Sequence, residues 1–169
     1  MHSYRARRAL RSVSLVIVGA ATPALIAACG SAVPVTSLCA TPGATSQTDS
    51  FNEQVPLTTA PSGLKYGDLR IGCGPLVQLN HTVTVEYTGW LGDGSLFDSS
   101  RRPGRQAFTF LVGANEVIPG FEDGLLGMHV GGKRRLVLPP RLGYGTRGRP
   151  PVIPPNSTLV FDVEVTKVS

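Results

Sequence analysis

The sequence predicts an α+β domain: a curved antiparallel β-sheet wrapped around one short α-helix. Three observations predict it. Residues 81–90 (HTVTVEYTGW) and 158–168 (TLVFDVEVTKV) alternate apolar and polar side chains, the mark of half-buried strands. One stretch alone, residues 117–128 (VIPGFEDGLLGM), has helical spacing, with Phe121, Leu125 and Met128 at i, i+4 and i+7. The 20 Gly and 14 Pro of 169 residues stay below the roughly 25–30% of a low-complexity chain, but they demand many turns and leave little helix.

In chain order, residues 64–71 form a broken alternation that suits an edge strand, and Gly72-Cys73-Gly74-Pro75 is a turn. The strand at 81–90 carries Val83, Val85 and Tyr87 on one face, and Gly92-Asp93-Gly94 turns the chain tightly. Residues 107–111 read as a second short strand, followed by the helix, whose apolar side fills the concave side of the sheet. Residues 133–138 (KRRLVL) form a strand stopped by Pro139-Pro140, its Lys133-Arg134-Arg135 run a solvated face with one charge turned aside. The last strand aligns Leu159, Phe161, Val163 and Val165. Strands run together with one inserted helix are an α+β plan, and residues 62–169 suffice for one modest core.

The first 61 residues read differently. Residues 1–12 hold Arg5, Arg7, Arg8 and Arg11 and no acid; residues 13–28 are almost wholly apolar and end in Ala27-Ala28 before Cys29. This is the order of a secretory signal peptide. Ile26-Ala27-Ala28-Cys29 resembles the lipobox of bacterial lipoproteins, which implies cleavage before Cys29, acylation of that residue and a bacterial membrane anchor facing the cell envelope, on the periplasmic or outer side. Several acyl chains hold stably where one is marginal. Residues 29–61 are then the lipidated cysteine and a Ser/Thr/Ala/Pro-rich flexible tether, of which 30 residues span about 30 Å. The net charge of +5 changes meaning accordingly. Without the four leader arginines, 12 Lys and Arg face 11 acids, so the basic balance is an export signal and points to no nucleic-acid partner. Three cysteines make no disulfide scaffold or zinc spacing. Cys39 and Cys73 are either an extracytoplasmic disulfide or two free thiols.

The segments 85–90 (VEYTGW), 94–100 (GSLFDSS), 116–124 (EVIPGFEDG), Tyr144-Gly145 and 152–163 (VIPPNSTLVFDV) stand in the order found in FKBP-type peptidyl-prolyl isomerases, and residues 62–169 resemble that family throughout. The resemblance implies a half-barrel of antiparallel sheet on a short helix, with a proline-sized apolar pocket between them. Tyr87, Phe97, Asp98, Phe108, Val117, Ile118, Phe121, Tyr144, Ile153 and Phe161 match its pocket positions. It implies Phe121 as the floor, Tyr87, Phe97 and Phe161 as walls, and Asp98 at the rim beside the carbonyl of the rotating bond. The Ile118 N–H and the Tyr144 hydroxyl then bind substrate carbonyls. It further implies proline-containing exported polypeptides as substrates, inhibition by macrolides of the tacrolimus/rapamycin type, no cofactor or metal, and a monomer. A catalytically weak proline-binding or chaperone module on the same fold is the alternative.

The residue types suit that chemistry. Prolyl rotation breaks no covalent bond, so no nucleophile or metal is required; what resists it is amide resonance, a barrier of ~18–20 kcal/mol. A twisted amide is less charge-separated than a planar one, so a dry aromatic pocket favours it relative to water. By themselves, Phe, Val and Ile at strand spacing read as plain core, and only the order of the motifs points to a pocket. Asp98 before Ser99-Ser100 reads equally as a turn cap. Tyr144 is different: an aromatic on a flexible Gly-rich loop has no packing reason to be there. Two positions depart from the family pattern. An extra residue between Asp98 and Phe108 leaves Arg102 and Arg105 both placed to pair with Asp98. Arg149 stands on the flap where many members carry His, adding a fixed charge near the substrate.

Overall fold

The computed structural model describes residues 49–169. The leader (1–28), Cys29 and Cys39 lie outside the described residues, as does the tether as far as residue 48. The described residues form β1 (Thr58–Thr59), β2 (Lys65–Arg70), β3 (Thr82–Leu91), β4 (Leu96–Ser99), β5 (Phe108–Leu111), α1 (Pro119–Leu125), β6 (Lys133–Leu138), a 3-10 turn (Pro140–Leu142) and β7 (Leu159–Val168). All strands join one antiparallel sheet in the order β1-β2-β6-β7-β3-β4, with β5 also on β3. The outer edge of β3 is therefore divided: β5 pairs with residues 82–85 and β4 with residues 88–90. The chain between those two short strands leaves β3 after Ser100, whose N–H still bonds the Tyr87 carbonyl, and this opening becomes the site.

The predicted strands at 81–90, 107–111, 133–138 and 158–168 are present. The predicted edge strand at 64–71 is β2, but it is not the edge, because β1 pairs outside it. β4 was not predicted. The helix is shorter than the 117–128 stretch suggested. Pro119 at its first position needs no N–H partner. At the other end Leu126 leaves helical geometry and Gly127 takes φ +77°, so Met128 lies beyond it. Seven residues make no stable helix alone; packing holds this one. Phe121 and Leu125 enter the core, with Met128 following. Gly120 and Gly124, one turn apart, lie against β6, where a Cβ would meet the Leu138 side chain at 2.7 Å or that of Leu136 at 2.5 Å. Glycine at i and i+4 lets the helix backbone approach the sheet.

Val83, Val85, Leu136, Leu138, Leu159, Phe161, Val163 and Val165 line the helix-bearing face as one core. Alternation sends Thr88, Trp90, Lys133, Arg135 and Asp162 to the other face, yet all five are buried too. The cover is the segment 49–55. Asp49 forms an ion pair with Lys133 at 2.8 Å and another with Arg101, and accepts the Thr88 hydroxyl. Phe51 packs edge-on to Trp90. The Arg135 guanidinium grips Asp162 at 2.7 and 2.8 Å and donates to the carbonyls of Ser50, Phe51 and Glu53.

Two expectations are corrected here. The flexible tether expected over 29–61, before a domain starting at 62, does not extend through 49–61: these residues lie on the sheet, adding β1 and covering its outer face. The run 133–135 was expected on a solvated face; the three residues are 2%, 9% and 5% exposed. Each has its own carboxylate, Asp49, Asp68 or Asp162, which hydropathy cannot show. Cys73 is disulfide-bonded, and its partner lies outside the described residues.

Burial pushes the Asp162 carboxyl above its ordinary range, and the bonds and charge of Arg135 pull it back only in part. Such a pair costs much when split, because one charge stays buried alone. Arg135→Ala is expected to lower stability by about 3–5 kcal/mol, read as a shift in urea midpoint at unchanged slope. A loss below 1 kcal/mol would show that the segment 49–55 does not seal this face.

Candidate functional site

The opening beside β3 is the mouth of a cleft of about 820 Å³, within the range of small-ligand sites. All ten residues singled out in the sequence line it: Tyr87, Phe97, Asp98, Phe108, Val117, Ile118, Phe121, Tyr144, Ile153 and Phe161. Arg102, Arg105, Glu116, Pro119 and the flap residues 149–152 complete the lining.

The base is a set of rings packed edge to face. Phe121 lies 5.3 Å from Phe161 and 6.0 Å from Tyr87, and Phe161 lies 5.4 Å from Phe97. Phe121 and Phe161 are buried, whereas Phe108 is 40% exposed at the mouth. The cluster depends on Gly89. Gly89 faces Phe161 across the β3–β7 ladder, and a Cβ there would meet Phe97 at 2.7 Å and Phe161 at 2.8 Å. No ring or charge marks this position in the sequence; its only signal is a glycine inside a strong strand pattern, which announces a close approach.

Phe97 and Asp98 are adjacent in β4, so plain alternation would place them on opposite faces. Both line the cleft because the register shifts there: Gly89 pairs with Asp98 and Trp90 with Leu96, leaving Phe97 as an extra residue. A bulge of this kind re-aims side chains. It also explains why β4 escaped prediction, since four residues with a bulge have no period.

Asp98 is neither isolated nor a simple turn cap. Its Oδ2 accepts the Tyr87 hydroxyl at 2.7 Å, and its Oδ1 accepts the Ser99 N–H at 2.9 Å and the Arg105 guanidinium at 3.2 Å. The choice between Arg102 and Arg105 as its partner thus falls on Arg105. Burial, then the hydrogen bond and charge of Asp98, push the Tyr87 phenol up to about 12; the Arg105 charge opposes this. At neutral pH Tyr87 is a fixed donor that holds the carboxylate at the rim.

Tyr144 follows the 3-10 turn. Its loop is not the flexible one that its glycines suggest, because backbone hydrogen bonds brace it: Gly145 N–H to the Pro140 carbonyl, Gly148 N–H to the Tyr144 carbonyl and Asn156 N–H to the Gly145 carbonyl. The side chain packs on the core edge, with Arg149 over its ring at 6.0 Å. Arg149 and Ile153 form a bridge that closes the flap. Among the described residues, neither the Tyr144 hydroxyl nor the Ile118 N–H has a hydrogen-bond partner. Ile118 caps α1 from an extended conformation, so its N–H belongs to the unbonded first-turn donors of the helix. The cleft thus combines a deep aromatic base with two unbonded donors and a carboxylate tied down by three bonds. It can enclose a compact apolar ring and hold the carbonyls on either side of it.

Residues 74–166 match the family described as FKBP-type peptidyl-prolyl cis-trans isomerase. Over 109 residues the chain is 51% identical to "FK506-binding protein 4" of Dictyostelium discoideum; the match covers 64% of this chain and 29% of that protein. Over 101 residues it is 48% identical to "FK506-binding protein" of Neisseria meningitidis serogroup A, covering 60% of this chain and 92% of that one. The chain thus spans under a third of the first relative's length and nearly all of the second's. The crystal structure of FkpA from Escherichia coli matches with a TM-score of 0.62 and 44% identity, over 67% of this chain and 51% of that chain.

Two outcomes are expected. The folded chain holds the Tyr87 proton more tightly than the unfolded chain, whose phenols ionise near 10. This contribution to stability is complete below about pH 10 and is lost as pH rises to about 12. Ultraviolet difference titration should show a late phenol that is missing in Tyr87→Phe; its persistence there would assign the shift elsewhere. Gly89→Ala should cost about 1–3 kcal/mol by overpacking and widen the cleft's ring spacing, checked by thermal melting and ligand affinity.

Proposed function

This chain belongs to the FKBP-type peptidyl-prolyl cis-trans isomerases, and on that premise we propose that its cleft accelerates X–Pro rotation in exported polypeptides. The observation that carries the proposal is the pairing of a buried aromatic base with two unbonded hydrogen-bond donors at its edge. The proline ring sits on Phe121 between Tyr87, Phe97 and Phe161. The Ile118 N–H and the Tyr144 hydroxyl take the carbonyls that flank the ring and fix the twisted geometry. Asp98, at the rim, faces the carbonyl of the bond being rotated.

Rotation is slow uncatalysed, tens to hundreds of seconds, because twisting sacrifices amide resonance. The aromatic base solvates the planar amide's larger dipole poorly, so the twisted amide is held relatively better. Each ~1.4 kcal/mol of this preference is tenfold in rate. No step forms or breaks a covalent bond. Macrolides of the tacrolimus/rapamycin type occupy the same cleft; several relatives are named for binding FK506.

The proposal extends to location. The arginine-rich start, the apolar run and Ala27-Ala28-Cys29 support a bacterial lipoprotein, cut before Cys29 and anchored to the cell envelope. Mass spectrometry of the mature N-terminal peptide is expected to find acylated Cys29; an unmodified residue, or cleavage elsewhere, would remove the anchor.

The enzymatic reading is tested with a proline-peptide isomerisation assay on the full chain. Tyr144→Phe, which removes one hydrogen bond, is expected to lower kcat/KM by about twofold to tenfold. Asp98→Val should lower it at least as much. A wild-type rate equal to the uncatalysed one would defeat the proposal.

A further inference from the structure

We propose that the cleft prefers X–Pro segments with an acidic side chain within two residues of the proline, Arg102 and Arg149 being the groups that meet it. The inference rests on the cleft's reading as a proline site. The lining carries three arginines, Arg102, Arg105 and Arg149, and two acids, Asp98 and Glu116. These charges are not equally available. Arg105 and Asp98 neutralise one another at 3.2 Å, and the Asp98 oxygens are further occupied by Tyr87 and Ser99. Glu116 accepts the Leu111 N–H and is the single acid left to oppose an incoming carboxylate.

Arg102 and Arg149 have no carboxylate within ion-pair distance among the described residues, whereas Arg70, Arg101, Arg134 and Arg135 all bind one. Both are exposed, and they come from different loops, Arg102 from the chain after β4 and Arg149 from the flap. Arg149 lies over the ring of Tyr144, whose hydroxyl faces the substrate backbone in the proposed pose. A guanidinium there reaches a flanking side chain without leaving water, and its planar fork fits a carboxylate. Exposed pairs of this kind are weak and salt-screened, about twofold to fivefold each.

The test uses the full chain and peptides that differ by Glu or Gln at each of two positions on either side of a single proline. At low salt, Glu is expected to exceed Gln in kcat/KM by about twofold to fivefold at one position or more. The ratio should fall towards one in ~1 M salt, where screening reaches about 3 Å. It should fall to one in the double variant Arg102→Gln/Arg149→Gln and invert in Arg102→Glu/Arg149→Glu, whatever the absolute rates. Gln equal to Glu at every position, or a ratio unmoved by the double variants, overturns the proposal. Should no peptide be accelerated, the isomerase reading fails on its own. The Gln-to-Glu ratio of Kd for the same peptides, by calorimetry, which exceeds one when Glu binds tighter, then decides this inference by the same criteria.

Discussion

The register of the β3–β7 ladder is the constraint on which the domain depends. Nine pairs run from Val83–Val168 to Leu91–Leu159, interrupted once between Thr84 and Val85. Along it, Gly89 faces Phe161 and Thr88 faces Asp162. The first pair lets an aromatic ring lie over bare backbone and makes the base of the cleft. The second sets a carboxylate on the outer face, where Arg135 binds it. A slip of one residue would exchange the two faces, putting Asp162 into the aromatic core and Phe161 among the arginines. The site and the buried ion pair are thus two consequences of one register.

The outer face shows how charge can be buried in a small domain. Lys133, Arg135, Asp49 and Asp162 leave water together, and the arginine also satisfies three carbonyls of the covering segment. Little net stability is expected from such a group relative to apolar residues, since desolvation offsets most of the attraction. Its effect is directional: it lays one particular segment across one particular place on the sheet. The site face solves the opposite problem. Its rings are packed with few polar neighbours, and the polar groups that remain are held in place, Asp98 by three donors and the Tyr144 loop by backbone bonds.

Much of this was legible because long strands declare themselves. In residues 81–90 and 158–168 alternation is regular enough to name the inward residues, and the helical spacing of Phe121, Leu125 and Met128 names the residues that fill the core. Short or irregular elements gave no such signal. β4 is four residues with a bulge, and β1 is two residues whose strand identity comes from its partner β2. Lys133, Arg134 and Arg135 were misplaced because hydropathy reports the cost of burying a charge and is silent on an acid 27 to 84 residues away that removes it.

By itself, the sequence determined the α+β plan and the strands long enough to show a period, while the ten residues that line one cleft were named by the resemblance its ordered motifs bear to a known family. The plan and the strands depend on local pattern, which each segment carries independently of its neighbours. Tertiary structure alone decided that Arg105 binds Asp98, that Gly89 seats two rings, and that residues 49–61 belong to the folded domain. Those outcomes depend on distances between segments far apart in the chain. An ion pair or a ring contact acts over a few ångströms, and only the folded register brings its partners within that reach.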